Sequence, residues 1–160
     1  MKKFAFDLQG VLNIKEKLEG QAKINFGVAR AKLNAEEEKR DAIARQIEEY
    51  QARLTELMSG DLDILKIGSC EDAIDILKEK LADQELQVKR AAKQVELARN
   101  KLNAVMMERK TMEKLREKRF EEYINEYNAE ERKSVDELTS YRHSIQGEVD
   151  EQQGVDYGEE

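Results

Sequence analysis

The sequence predicts an all-α fold in which two long helices form an antiparallel coiled-coil hairpin, the second helix overhanging the first. Three observations predict it. Charged residues make up 39% of the 160-residue chain and proline is absent, so the composition suits long exposed helices and nothing forces a break in them. Apolar residues recur at alternating steps of four and three, the spacing of a heptad seam rather than of a disordered chain. A short segment containing Gly60 and Gly68 divides that seam in two, and so brief a connection folds the helices back on one another. Only 6% of the residues are aromatic, so a compact globular core is not expected.

Helix one is expected over about residues 4–58. Its seam passes through Leu8, Leu12, Lys15, Glu19, Ala22, Phe26, Ala29, Leu33, Glu36, Arg40, Ile43, Ile47, Tyr50 and Leu54, with two polar interruptions. Asp7 is placed to cap it, with Phe6 and Val11 as a hydrophobic staple, and Gly60 follows as a stop signal. The turn is expected over 59–68. Helix two is expected over about 69–146, opened by a capping box of Ser69 and Asp72 and closed near Gly147.

The second seam runs through Ile74, Leu77, Leu81, Gln84, Val88, Ala91, Val95, Ala98, Leu102 and Val105. It continues through Met112, Leu115, Tyr123, Tyr127, Leu138, Tyr141 and Ile145, with a slip in the heptad between Arg109 and Leu115. With the hairpin centred on that turn, facing residues have numbers summing to about 129. Glu36 then faces Lys93, and Glu19 faces the neighbourhood of Arg109. At the usual rise the helices are about 80 Å and about 115 Å long. Residues beyond about 125 therefore lack a partner within the hairpin but keep an apolar stripe, which asks for an external partner. Residues 147–160 carry Glu148, Asp150, Glu151, Asp156, Glu159 and Glu160 without a compensating base. They read as an acidic disordered tail.

Most chemistries lack the groups they need. A two-helix coiled coil offers no enclosed pocket for acid–base catalysis, so no catalytic residue is expected. His143 is the one histidine and Cys70 the one cysteine. The first reads as a surface side chain and the second as a free thiol in the turn, leaving neither a metal site nor a cofactor site. No glycine-rich phosphate loop occurs. The first residues lack a secretory apolar run, and no stretch is long enough for a membrane span, so a cytoplasmic protein is expected. Between residues 89 and 119 eleven basic residues face four acidic ones. Aromatics are missing from that segment, so salt bridging to acidic protein surfaces is the expected use and no nucleic-acid partner is expected.

Three segments carry a family resemblance: Phe4-x-Phe6-x-Leu8-x-x-Val11-Leu12, the basic run of Glu108-Arg109-Lys110 with Glu113-Lys114-Leu115-Arg116-Glu117-Lys118-Arg119, and Glu131-Arg132-Lys133-x-x-Asp136-Glu137-Leu138. Together they resemble the flagellar export protein FliJ and its relatives in type III secretion, over essentially the full chain. The resemblance implies a non-enzymatic part of the flagellar export apparatus, similar in shape to the central stalk of a rotary ATPase. It implies three partners: the hexameric export ATPase, the membrane export gate and the export chaperones. Candidates for the ATPase contact are Phe4, Leu8, Arg119, Tyr127, Asp136, Glu137, Leu138 and Tyr141, and for the gate contact Ile74 and Leu77. A generic coiled-coil scaffold or holdase is the alternative from the residues alone. The acidic tail lies outside what the resemblance explains.

Overall fold

A computed structural model describes residues 2–153, with side chains up to residue 149. The described residues form two helices, α1 (Gln9–Met58) and α2 (Ile64–Gln153). By internal packing the chain divides into two units, Val11–Lys110 and a second one joining Met1–Gly10 to Thr111–Glu160.

In the first unit α1 and α2 run antiparallel along the heptad seam. Leu12, Ala22, Leu33 and Ile47 of α1 are buried, as are Cys70, Ile74, Leu77, Ala91 and Val95 of α2. The core is densest where Leu33 meets Ala91 and Val95, with Phe26, Ala29 and Val88 packed against them. Small alanines at this layer let the helix axes approach, and Leu33 fills the space they leave. Every seam position expected in α1 from Leu12 to Leu54, and in α2 from Ile74 to Val105, is buried or half-buried. Periodicity alone placed them, because only one stripe of each helix can face the other.

The turn differs from expectation. α2 begins at Ile64, not at residue 69, because the Asp63 carboxylate caps it, its Oδ1 accepting from the backbone N–H of Leu65 at 3.2 Å and of Lys66 at 3.3 Å. Ser69 and Asp72 lie inside the helix. α1 ends without a left-handed glycine, as no described residue has positive φ. Ser59 closes it, its backbone N–H donating to the Glu56 carbonyl at 3.2 Å and its hydroxyl to the same oxygen at 2.8 Å. A tighter and earlier turn moves the register. Glu36 meets Gln84 and not Lys93, so facing numbers near the turn sum to about 120 and not 129. Cys70 is correspondingly not a turn residue: it sits in the seam, 5% exposed, its thiol donating to the Tyr50 carbonyl at 3.3 Å.

Two further boundaries moved. Residues 2–6 are not helical and 7–8 form a turn, with the Gln9 N–H donating to the Phe6 carbonyl at 3.0 Å. At the other end α2 continues through Gly147 to Gln153. A single glycine costs a helix about 1 kcal/mol and leaves its hydrogen bonds intact, so it does not by itself stop one. Residues 147–153 are thus helical where a disordered tail was expected. The remainder of that tail lies outside the described residues.

Candidate functional site

Two surfaces depart from an evenly solvated coiled coil. The first belongs to the unit formed by the N-terminal segment and the distal part of α2. There Phe4 packs edge-on against Phe120, ring centroids 5.1 Å apart at 75°, and tilted against Tyr123 at 5.5 Å. Edge-on and tilted rings place positive ring edges against negative faces, which adds to the burial of their area. The Tyr123 hydroxyl donates to the Lys2 carbonyl at 3.0 Å, tying down the start of the segment. These contacts explain why residues 2–6 are not helical: a helical start would withdraw Phe4 from the two α2 rings. Beside residues 2–6, which form a strap across α2, lies an open cavity of about 560 Å³ lined by Lys3, Phe6, Leu8, Arg119, Glu122 and Glu126 among others. It is ringed by both signs of charge.

Tyr123 also lies 6.3 Å from Tyr127, and Tyr127 opens a stripe that nothing described covers. From Tyr127 to residue 149 every side chain is exposed, and Leu138 and Tyr141 are each 65% exposed. Of the residues expected to contact an ATPase, Leu8, Arg119, Tyr127, Asp136, Glu137, Leu138 and Tyr141 are exposed, whereas Phe4 is half-buried in the aromatic cluster. Phe4 therefore shapes this surface more than it offers itself. Phe120 and Tyr123 were not singled out from the sequence as site residues. The i, i+3, i+7 spacing of Phe120, Tyr123 and Tyr127 puts three rings on one helical face and is the signal that marks them.

The second surface is at the hairpin turn, in the other unit. Leu62, Ile64 and Leu65 are largely exposed there, next to a groove of about 470 Å³ lined by Tyr50, Arg53, Leu57, Leu65, Lys66 and Cys70 among others. Ile74 and Leu77, expected to meet an export gate, are buried in the seam about three turns along α2. A loop composition hid the three exposed residues, because a turn between helices is ordinarily polar.

The polar residues of the seam are satisfied in pairs. Glu19 is 5% exposed, receives a hydrogen bond from Arg109 Nε and pairs with Lys23 Nζ at 3.1 Å. Burial pushes its carboxyl up, but the Lys23 and Arg109 donors and their charges together bring it below the usual carboxylate value. Gln84 Nε2 donates to the Glu36 carboxylate at 2.5 Å and to the Glu36 carbonyl at 2.9 Å. That amide donor, aided by Lys39 and Lys32 and opposed by burial, holds the Glu36 carboxyl low. Lys15 and Glu108 pair at 2.7 Å on the exposed rim. Among the described residues no buried polar side-chain atom lacks a partner, and no cluster of His, Cys, Asp or Glu is arranged to hold a metal ion. Each perturbed acid thus has a structural account in the seam.

A chain with such a seam, strap and stripe can be compared with known families. The profile of the flagellar FliJ protein family matches residues 4–148. The chain belongs to the FliJ family. Membership makes it a type III export-related protein. Among solved structures, CT670 of Chlamydia trachomatis, described as a YscO homologue, matches with a TM-score of 0.54 at 21% identity, covering 91% of this chain and 99% of that chain. At that identity the likeness shows the shared two-helix fold. No curated protein matches the sequence. No helix of the described residues is long and apolar enough to cross a membrane.

Proposed function

We propose that this FliJ-family chain is a non-enzymatic, central-stalk-like element that binds the hexameric export ATPase through the strap and the distal face of α2. It acts in the cytoplasm against the membrane export apparatus. The observation that carries the reading is the uncovered apolar stripe of Tyr127, Leu138 and Tyr141 on a charged helix, in a chain whose family is one of protein export. Arg119, Asp136 and Glu137 are exposed beside it and give both signs of charge for a polar rim. Contact with the export gate is assigned to the turn. Because Ile74 and Leu77 are held in the seam, the side chains free to make a first contact are Leu62, Ile64 and Leu65, and the buried pair joins only if the seam parts. Export chaperones complete the set of partners.

The experiment mixes the protein with its cognate ATPase and measures ring assembly and ATP hydrolysis. Binding and a changed hydrolysis rate are expected, with Leu138→Asp weakening the complex at least about tenfold, as for an anchor residue at an interface centre. Absence of binding together with an unchanged rate would sink the proposal.

A further inference from the structure

The distal part of α2 carries a second, unoccupied heptad seam. Ile124, Tyr127, Glu131, Ser134, Leu138, Tyr141 and Ile145 follow alternating steps of three and four, and the apolar ones among them are exposed. Over about 21 residues this presents a stripe roughly 32 Å long. The spacing is what knobs-into-holes packing of another helix requires; a loop or a strand would have no use for it.

Charge selects which helix. Glu130 and Glu137 occupy the flank just ahead of the seam, Asn128, Val135 and Arg142 the flank just behind it, Glu131 lies on the seam itself, and all are exposed. A second copy of the chain fits badly. Paired parallel and in register, Glu131 would meet Glu131 of the other copy inside the seam, a repulsion that the exposed rim pairing of Glu137 with Arg142 does not offset. Paired antiparallel about the stripe's centre, Glu130 would face Glu137 of the other copy twice over. Either arrangement brings like charges together at low exposure, which opposes pairing. We propose that the stripe is a docking seam for an amphipathic helix of a different protein, with apolar residues at its own heptad positions and Lys or Arg on its flanks, one of them opposite Glu131. This gives the partner's form at the surface proposed above for the ATPase. It can be tested with no ATPase present, so the two readings can fail separately.

The probes are two fluorescent peptides of four heptads with Leu at the seam positions, one flanked by Lys and the other by Glu. Each is titrated into the full-length protein at low salt and followed by anisotropy. The Lys-flanked peptide is expected to bind at least about tenfold more tightly, with the preference shrinking as salt rises. Leu138→Asp combined with Tyr141→Asp should abolish binding. Glu130→Lys combined with Glu137→Lys should reverse the preference. All four substitutions are at exposed positions, and helicity by circular dichroism confirms that the variants fold. Equal binding of the two peptides, or binding of neither, overturns the proposal. So does sedimentation showing that the protein alone dimerises and that the Leu138/Tyr141 variant disperses the dimer, because the occupant would then be a second copy.

Discussion

Replacing Leu33 with Ala tests the hairpin at its densest layer. Leu33 is 7% exposed and packs with Ala91 and Val95. The substitution removes three carbons, at about 0.8 kcal/mol per buried methylene, or roughly 2.4 kcal/mol of transfer free energy. The cavity adds less than it would in a globular interior, since a two-helix seam is one layer deep and water can reach the gap from either side. The expected loss is therefore about 2.5–3 kcal/mol, at the low end for buried leucines. Leu97, on the same helix as Val95 but 52% exposed, is the control. Leu97→Ala should cost less than about 0.5 kcal/mol, because little area is lost and alanine is a better helix former. The assay is urea unfolding followed by circular dichroism and, in parallel, by the reactivity of the Cys70 thiol. Cys70 is 5% exposed and lies in the same unit, so it reports the seam directly. Equal losses for Leu33→Ala and Leu97→Ala, or the reverse order, would refute the seam assignment.

Other outcomes follow from the same structure. The folded Glu19 carboxyl sits below its ordinary value of 4.5, so the ionised form's contribution is present above that pH and is lost as pH falls through the folded value. Glu19→Gln should lower the melting temperature at pH 7, and the gap to the native protein should narrow as melts are repeated below pH 4.5. A gap that is constant from pH 7 to pH 3 would contradict the Arg109 and Lys23 pairing. Asp63→Ala removes the α2 cap and should cost about 1 kcal/mol in denaturant titration, whereas Ser69→Ala should leave the transition in place. With Cys70 replaced by Ala, cysteines at positions 36 and 84 should crosslink within one chain on oxidation. Mixed isotopically labelled chains read by mass spectrometry would expose interchain products, and a predominance of them would contradict the hairpin.

The seam was legible in the sequence because it needs only a period. Leu12 to Leu54 and Ile74 to Val105 fall on one stripe whatever the turn does. Register was not legible to the same degree, since it depends on where the turn begins. Asp63 and Ser69 both offer a cap, and local chemistry ranks them too closely to choose. Taking the later one shifted Glu36 from Gln84 to Lys93, while Glu19 still reached Arg109, whose long side chain tolerates an offset of several residues. The non-helical start is a tertiary effect. Nothing near Phe4 in sequence announces that Phe120 and Tyr123 will hold it. The exposed stripe from Tyr127 onward was legible, because its spacing continues beyond the length that the shorter first helix can pair with.

The Glu19–Arg109 pair acts like a key cut into an otherwise repetitive lock. A seam of alanines and leucines looks nearly the same after sliding by seven residues, so apolar packing alone would tolerate several stops. Sliding by one heptad would set Glu19 against Leu102, stranding a carboxylate that is 5% exposed and leaving Arg109 without it, a penalty of the kind that excludes a misaligned state more strongly than the pair stabilises the aligned one. Of the registers that apolar packing alone would accept, the pair thus singles out one.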